Sequence, residues 1–268
     1  MEQAIQDHMI AEKVTNADMN RKPDYGNWVP MKFIYGPGLM GLILLAASIL
    51  FWPMMILAVL FFLVTLYFVY ARYLFSPRGG NVQGRIWDLV LDRLEWNGEG
   101  RALDIGCGNA ALTIKLAQKY PQASVTGIDY WGVQWDYSKK TCERNAEIEG
   151  VKDRVVFQKA SASKLPFEDG YFDAVVSNLT FHEVLDTADK RDVIKEALRV
   201  LKKGGKFSFQ DLFLEKHTYG DAEDLVRTIQ GWGITNVEFV KTRDVPFIPR
   251  ALKLPFMVGT IGIIAGIK

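Results

Sequence analysis

Two carboxylates flank a glycine-rich turn, and this group is the most chemically suggestive one in the chain. Asp104 precedes Gly106 by two positions, Gly108 follows, and Asp129 lies roughly 20 residues further on. Apolar residues lead into the turn and a helical apolar pattern leaves it, which predicts a strand, a tight loop and a helix. Glycines let the backbone approach a ligand closely, and the amides at the start of the helix point at it. The group therefore indicates a cofactor of the nucleotide type.

Two such cofactors fit the spacing. A nicotinamide dinucleotide is allowed, because Gly106, Gly108 and Ala111 match the G-x-G-x-x-A form and Asp129 lies where a ribose-binding acid is expected. Asp104 argues against it, since a carboxylate repels a pyrophosphate at close range. S-adenosylmethionine carries a ribose and an ammonium group but no phosphate, so Asp104 favours this cofactor. The rival interpretations are a nicotinamide-dependent oxidoreductase and a membrane scaffold with a degenerate cofactor site.

The composition narrows the class of protein. The chain has 268 residues and a net charge of +1, so no strong basic field indicates nucleic acid as a partner. Its two cysteines, Cys107 and Cys142, form neither a disulfide framework nor a metal-ligand spacing. No metal is expected, and the oligomeric state cannot be read from the sequence.

The elements that position these residues alternate between strand and helix. Such alternation predicts an α/β fold with a doubly wound, mostly parallel seven-stranded sheet. Ligands of such sheets bind beyond the carboxyl ends of the strands, where Asp104, Asp129 and Asn178 fall. Beyond the first strand, we predict strands at 123–129, 154–158, 172–178, 206–213, 237–241 and 259–266, and helices at 136–149, 188–201 and 221–230.

A long uncharged stretch precedes this domain. From Phe33 to Ala71 no residue is charged, and as one helix the stretch would be roughly 58 Å long, far more than a hydrocarbon core of about 30 Å needs. Pro53 lies near its centre, which predicts two transmembrane helices, at about 34–52 and 54–72, joined by a tight turn. One kinked span is the alternative.

The flanking charges indicate the orientation of this hairpin. A hairpin places both basic flanks on the cytoplasmic side, as the positive-inside rule prefers. We therefore expect a membrane protein whose soluble domain faces the cytoplasm and whose bilayer contact is made through residues 33–71. The flanking cations are Arg21, Lys22 and Lys32 before the stretch and Arg72, Arg78 and Arg85 after it.

The predicted organisation has four parts. An apolar segment near the C-terminus, residues 246–258, either belongs to the soluble domain or lies on the membrane. The four parts are an N-terminal polar arm at 1–30, a membrane anchor at 31–75, a linker at 76–83 and a soluble domain at 84–268.

Four segments, in order, resemble the class I S-adenosylmethionine-dependent methyltransferases. The third of them is similar to the subgroup that methylates quinones, sterols and small lipophiles. The resemblance covers about residues 84–213 and implies S-adenosylmethionine as cofactor and a small-molecule or lipid acceptor. The hairpin lies outside it. The four segments are Leu103–Gly108, Val125–Asp129, Leu165–Asn178 and Leu198–Gly205.

The resemblance also implies roles for the cofactor-binding residues. Asp104 is expected to face the methionine ammonium, directly or through water. Gly106 and Gly108 hold the methionine and ribose side against the backbone. Asp129 accepts both ribose hydroxyls, as an ionised carboxylate should.

The adenine end departs from the family pattern. Tyr130 is expected to border the adenine, whereas Trp131 either borders it or only packs at the sheet edge. Ser161 stands where relatives usually carry an acid that receives the adenine amine, which weakens recognition there. Ala162 still offers its backbone amide.

Catalytic candidates follow the fourth strand. Asn178 is expected near the reacting methyl group, and His182 at the mouth of the site is the best-placed base for an acceptor that must lose a proton. The alternative for His182 is a histidine that caps the next helix or faces solvent. Gln210 and Asp211 are weaker candidates. Because the anchor should hold the site near the bilayer, we expect a lipophilic acceptor, such as a quinone-like ring, a lipid headgroup or an isoprenoid.

Overall fold

The structure is a computed structural model that describes residues 22–132 and 137–268. Most of the polar arm predicted at 1–30, and the start of the helix expected at residue 136, therefore lie outside the described residues. The strands are β1 (Gly100–Ile105), β2 (Ala123–Asp129), β3 (Val155–Lys159), β4 (Phe172–Asn178), β5 (Leu201–Asp211), β6 (Thr235–Lys241) and β7 (Gly262–Ile267).

The strands form one seven-stranded sheet in the order β3-β2-β1-β4-β5-β7-β6. Strands β1 to β5 pair in parallel, and β7 runs antiparallel between β5 and β6. The central strands are apolar and buried along most of their length, as expected when helices cover both faces of a parallel sheet. This confirms the predicted doubly wound, mostly parallel sheet.

Helices connect these strands, and α6 shows why they form where they do. Asp189 caps its start by accepting a hydrogen bond from the Arg191 amide at 2.9 Å. Apolar residues then recur on one face and are buried against the sheet. The helices are α1 (Lys32–Ala47), α2 (Met54–Phe75), α3 (Val82–Asp92), α4 (Ala111–Lys119), α5 (Lys139–Ile148), α6 (Lys190–Arg199), α7 (Lys216–Tyr219) and α8 (Ala222–Gly231).

The junction between α6 and β5 differs from the prediction. The helix predicted at 188–201 is shorter and the strand predicted at 206–213 begins earlier, since α6 ends at Arg199 and β5 begins at Leu201. Leu201 pairs with Phe172, and the register shifts immediately afterwards. Gly204, with a φ of +79°, lies in this irregular part of the strand.

Helices α1 and α2 pack against each other in antiparallel orientation. The rings of Phe33 and Phe68 stack with centroids 5.4 Å apart. A Cβ added to Gly41 would lie 2.8 Å from the ring of Phe62, so the helices approach closely there. Residues later in α1 thus contact residues earlier in α2. The two helices are therefore antiparallel and form a hairpin.

The first helix of this hairpin is shorter than predicted. It has 16 residues and ends at Ala47, where the predicted span runs to 52. A turn follows, in which the Ser48 hydroxyl donates to the Leu45 carbonyl at 2.6 Å, and α2 begins directly after Pro53. Within the described residues, Met54–Phe75 alone is long and apolar enough to cross a membrane.

The chain divides into two compact units. One is built around Val90–Lys241 and Ile261–Lys268 and contains the sheet; the other combines Gly26–Leu89 with Thr242–Thr260. The apolar C-terminal segment therefore packs with the hairpin. The Tyr67 hydroxyl of α2 donates to the Ala251 carbonyl at 3.0 Å, and its ring lies 6.0 Å from that of Phe256.

Candidate active site

The candidate site lies at the carboxyl ends of the parallel strands. Asp104 lies in β1, Asp129 ends β2, Asn178 ends β4 and Asp211 ends β5. These four strands are neighbours in the sheet, so the four side chains share one edge. This is the edge at which open α/β sheets bind their ligands.

The glycine loop is pinned to the neighbouring strand. The backbone amides of Gly106 and Cys107 both donate to the Ile128 carbonyl, at 2.8 and 2.9 Å. Gly106 has a φ of +74°, and an added Cβ would lie 2.0 Å from the Thr180 hydroxyl, so no larger residue fits. Gly108 has a φ of +55°, and its requirement is conformational, because a Cβ there meets nothing closer than 3.6 Å.

Asp129 holds the far side of this loop. Its carboxylate accepts hydrogen bonds from the amides of Gly108 at 2.9 Å and Trp131 at 2.7 Å, one on each oxygen. Burial raises the pKa of Asp129, and these backbone bonds partly offset the rise. A carboxylate offers about four acceptor positions, so the carboxylate of Asp129 can also accept hydrogen bonds from a ribose diol. Trp131 also holds the loop, since its indole N–H donates to the Gly108 carbonyl at 3.1 Å.

Asp104 is buried beneath the loop. Only 1% of its surface is exposed, and the Thr113 hydroxyl donates to its carboxylate at 2.5 Å. Burial and, to a smaller extent, the charge of Asp129 raise the pKa of Asp104 to about 7, against the opposing effect of the hydrogen bonds from Thr113. Among residues 22–132 and 137–268, the neighbours that shift the pKa of this carboxyl are Thr113 and Asp129, and neither carries a positive charge. A cationic ligand group is therefore what would stabilise its ionised form.

Asn178 provides a second buried acceptor that a ligand donor can satisfy. Its side-chain oxygen is buried and has no hydrogen-bond partner within the described part of the chain. A buried acceptor without a partner costs free energy unless a ligand donor reaches it. Together with Asp104 and Asp129, Asn178 forms an acceptor set that fits S-adenosylmethionine, which brings an ammonium group and a ribose diol.

Residues near the expected adenine lie beyond Asp129. Tyr130 is 64% exposed, with the Lys159 ammonium 5.0 Å from its ring centre. Ala162 is buried. The Ser161 hydroxyl lies 3.1 Å from a carboxylate oxygen of Asp186, a residue that sequence reasoning missed. Asp186 follows β4, belongs to no motif and comes to Ser161 only through the fold.

His182 lies between two carboxylates. It belongs to a 3-10 turn, Phe181–Glu183, that follows β4. Its Nδ1 is 2.6 Å from Asp211, and its Nε2 is 3.3 Å from Glu183. Burial by itself lowers the pKa of His182, but hydrogen bonds to the two carboxylates outweigh it and raise the pKa to about 10. With a pKa of about 10, the ring is an imidazolium at neutral pH.

Asp211 is the fixed partner in this cluster. It is fully buried, and its second carboxylate oxygen accepts the amides of Thr180 at 3.0 Å and Phe181 at 2.8 Å. Glu183 is the adjustable partner, since 42% of its side chain is exposed. The sequence ranked Asp211 low because only the pairing of β4 with β5 reveals its proximity to His182.

Comparisons with known proteins agree with this geometry. Residues 103–209 match the profile of a methyltransferase domain family. A 27-O-demethylrifamycin SV methyltransferase of Amycolatopsis mediterranei is 34% identical over 57% of this chain and 54% of that protein. A ubiquinone/menaquinone biosynthesis C-methyltransferase of Geotalea daltonii is 29% identical over 48% of this chain and 55% of that protein. Among solved structures, geranyl diphosphate C-methyltransferase of Streptomyces coelicolor has a TM-score of 0.56 at 16% identity, over 70% of this chain and 80% of that chain.

Residues 103–209 thus match a methyltransferase domain family, and the fold is that of the class I S-adenosylmethionine-dependent methyltransferases. Of the two cofactors that the spacing allows, the match to a methyltransferase domain family favours S-adenosylmethionine. The chain spans about half the length of the curated relatives it matches. By their names these relatives methylate different acceptors, so the likeness does not identify the acceptor of this chain.

Proposed function

We propose that this chain is an S-adenosylmethionine-dependent methyltransferase that is anchored in a membrane and acts on a lipophilic acceptor. The observation that carries the proposal is the set of unsatisfied or displaceable polar groups at one sheet edge. Asp104 and Asn178 await a cationic donor, and His182 lies beside them on the turn that follows β4. Such an arrangement serves the binding and orientation that methyl transfer requires.

When bound, S-adenosylmethionine supplies an electrophilic methyl group on a sulfonium, which an acceptor attacks in line. Asp104 and Asn178 would accept hydrogen bonds from the methionine ammonium, and Asp129 would accept hydrogen bonds from the ribose hydroxyls. The glycine loop keeps the backbone close to the ligand, because Gly106 leaves no room for a side chain. These residues fix the methyl carbon for attack and take no part in bond making.

His182 handles the proton of the acceptor. An entering acceptor displaces Glu183 from Nε2, because Glu183 is the exposed partner of the ring, whereas buried Asp211 keeps its bond to Nδ1. Loss of one carboxylate lowers the pKa of the ring, which gives up its Nε2 proton to solvent. The neutral ring then accepts the proton of the attacking hydroxyl or acidic carbon.

The hairpin unit supports the membrane part of the proposal. Ile49 and Leu50 in the turn between α1 and α2 are 86% and 94% exposed, and much of the apolar surface of α2 is exposed as well. Apolar surface of this extent is costly in water and is stabilised in a bilayer. The antiparallel packing brings the Lys32 and Arg72 ends of the two helices to the same side, in accord with the positive-inside rule.

The acceptor can be identified by transfer of label. The purified full chain is incubated with methyl-labelled S-adenosylmethionine and membranes of the host, and the products are separated by solvent extraction and identified by mass spectrometry. We expect a labelled, methylated lipid in the organic phase. Label confined to water-soluble products would contradict a lipophilic acceptor while leaving methyl transfer intact, and no labelled product at all would contradict the transferase itself.

A further inference from the structure

A carboxylate from a distant part of the chain lies next to Ser161. Asp186 accepts hydrogen bonds from the hydroxyls of Ser161 at 3.1 Å and Ser163 at 2.6 Å, both on the same oxygen. The two hydroxyls are also 2.8 Å from each other. The two serine hydroxyls thus orient the carboxylate of Asp186.

This cluster lies at the nucleoside end of the site. Residues 160–163 follow β3, which pairs with β2, and the Ala160 amide donates to the carbonyl of Asp129 at 3.1 Å. The candidate base His182 lies on the opposite side, at the ends of β4 and β5. A cofactor whose methyl group faces β4 and whose ribose reaches Asp129 must therefore extend its base toward β3 and residues 160–163.

The chemistry of Asp186 suits the exocyclic amine of an adenine. The bonds from the serine hydroxyls, chiefly that from Ser163, lower the pKa of Asp186, so the group is an ionised, acceptor-only carboxylate at neutral pH. Asp186 is also largely exposed, which leaves it accessible to a ligand. A carboxylate offers about four acceptor positions, and two hydroxyls on one oxygen do not exhaust them.

We propose that Asp186 is the cofactor-specificity residue of this chain, accepting the adenine amine of S-adenosylmethionine in place of an acid at position 161, with Ser161 and Ser163 holding it. Ser161, which weakens adenine recognition in the sequence alone, then becomes the means of positioning an acid from another loop. The proposal rests on S-adenosylmethionine as the cofactor and requires nothing of the acceptor.

The test compares two bases on an otherwise identical ligand. S-adenosylhomocysteine carries the amine, whereas S-inosylhomocysteine carries a hypoxanthine oxygen at the same place. In isothermal calorimetry with the full chain, the unmodified protein should bind S-adenosylhomocysteine more tightly than S-inosylhomocysteine. Asp186→Ala should weaken adenine binding about tenfold, as loss of one charge-assisted hydrogen bond predicts, and should abolish the preference.

Two further variants separate recognition from a structural effect. Asp186→Asn brings an amide N–H that can donate to the hypoxanthine oxygen, so the preference should shift toward that base. Adding Ser161→Asp to Asp186→Ala should restore the preference for adenine. A general loss of structure would lower the affinities for both ligands together. It would neither shift the preference toward hypoxanthine nor restore the preference for adenine.

Asp192→Asn is the matched control, because it makes the same charge change at an exposed position on the adjacent helix α6. It should bind both ligands as the unmodified protein does. An Asp186→Ala variant that kept the full preference for adenine would overturn the proposal. These titrations contain no acceptor, so an error about the lipophilic acceptor would leave their result unchanged.

Discussion

Asp104 shows how one buried carboxyl couples cofactor binding to pH. Its pKa is about 7 in the ligand-free protein, and an ammonium group favours its ionised form. Binding at pH 6 must therefore release a proton, whereas binding at pH 8 need not. We expect the affinity for S-adenosylhomocysteine to fall by up to about tenfold per pH unit below pH 7 and to level off above it.

Calorimetry between pH 5.5 and 8.5 measures this dependence directly. In Asp104→Asn the Thr113 hydroxyl keeps an acceptor, but the side chain has no charge and cannot titrate. The affinity for S-adenosylhomocysteine should therefore be weaker, and it should depend less on pH. An unmodified protein that bound equally well at pH 6 and pH 8 would contradict the role of Asp104.

Glu183 offers a test of the proton-accepting role of His182. Both carboxylates raise the pKa of the ring, so the ascending limb of kcat/KM against pH should lie in the alkaline range. Glu183→Gln removes one of the two charges, which lowers the pKa of His182 and should move the limb to lower pH. Activity at neutral pH should rise accordingly.

The control for this profile is Glu99→Gln, which neutralises an exposed acid at the start of the first strand. Its limb should coincide with that of the unmodified protein. If Glu183→Gln left the ascending limb at the same pH, that limb would not report the titration of His182.

At the residue scale, local motifs in the sequence predict candidate site residues. Asp104 and Asp129 are recognisable candidates because each lies at or next to the end of a strand beside the glycine turn. Asp211 is only a weaker candidate in the sequence and Asp186 is not a candidate, because their partners His182 and Ser161 lie more than twenty residues away in the chain. Contacts of that kind depend on which strands are neighbours, and no local spacing encodes them.

At the scale of elements, the close packing of α1 against α2 is the feature most sensitive to an added side chain. A Cβ added at Gly41 would lie 2.8 Å from the Phe62 ring, whereas one added at Gly36, on the same helix, meets nothing within 4 Å. Gly41→Leu should therefore push α1 away from α2 and destabilise the hairpin by about 1–3 kcal/mol, the usual cost of overpacking.

Thermal unfolding in detergent micelles measures this effect, with Gly36→Leu as the matched control. The Gly41 variant should melt lower, and the Gly36 variant should melt close to the unmodified protein. Equal melting temperatures for the two variants would mean that the helices do not pack as described.

The element boundaries show where a sequence pattern loses information. The mostly parallel, doubly wound sheet followed from the alternation of strands and helices, because such alternation is typical of a parallel sheet covered by helices on both faces. The end of α1 did not follow, since the apolar run continues unchanged through Ile49 and Leu50 and gives no signal for the turn. The start of β5 was obscured by the glycines at 204 and 205, which are typical of a helix end as well as of an irregular strand.

At the scale of the whole molecule, one segment joins two regions that the sequence treats as separate. Residues 242–260 connect β6 to β7, yet they pack with the hairpin, and Phe256 lies against Tyr67 of α2. Tyr67 lies eight residues before the end of α2, or about 12 Å along its axis. In a bilayer, Phe256 should therefore reach the acyl chains.

Fluorescence quenching tests the depth of this segment. Cys107 and Cys142 are both buried, so a new surface cysteine can be labelled selectively. In vesicles, a polarity-sensitive dye on Phe256→Cys should be quenched by lipids that carry a nitroxide on the acyl chain. The same dye on Val156→Cys, an exposed apolar position on β3, should not be. Equal quenching at both positions would contradict insertion.

The loop at 179–189 carries both His182 and Asp186, four residues apart. If Asp186 holds the adenine as proposed, the cofactor settles the same loop that presents His182 to the acceptor. Steady-state turnover should then follow a compulsory order, with S-adenosylmethionine the first substrate to enter and S-adenosylhomocysteine the last product to leave. Product inhibition by S-adenosylhomocysteine should be competitive with S-adenosylmethionine and noncompetitive with the acceptor, whereas a random order would give competition with both.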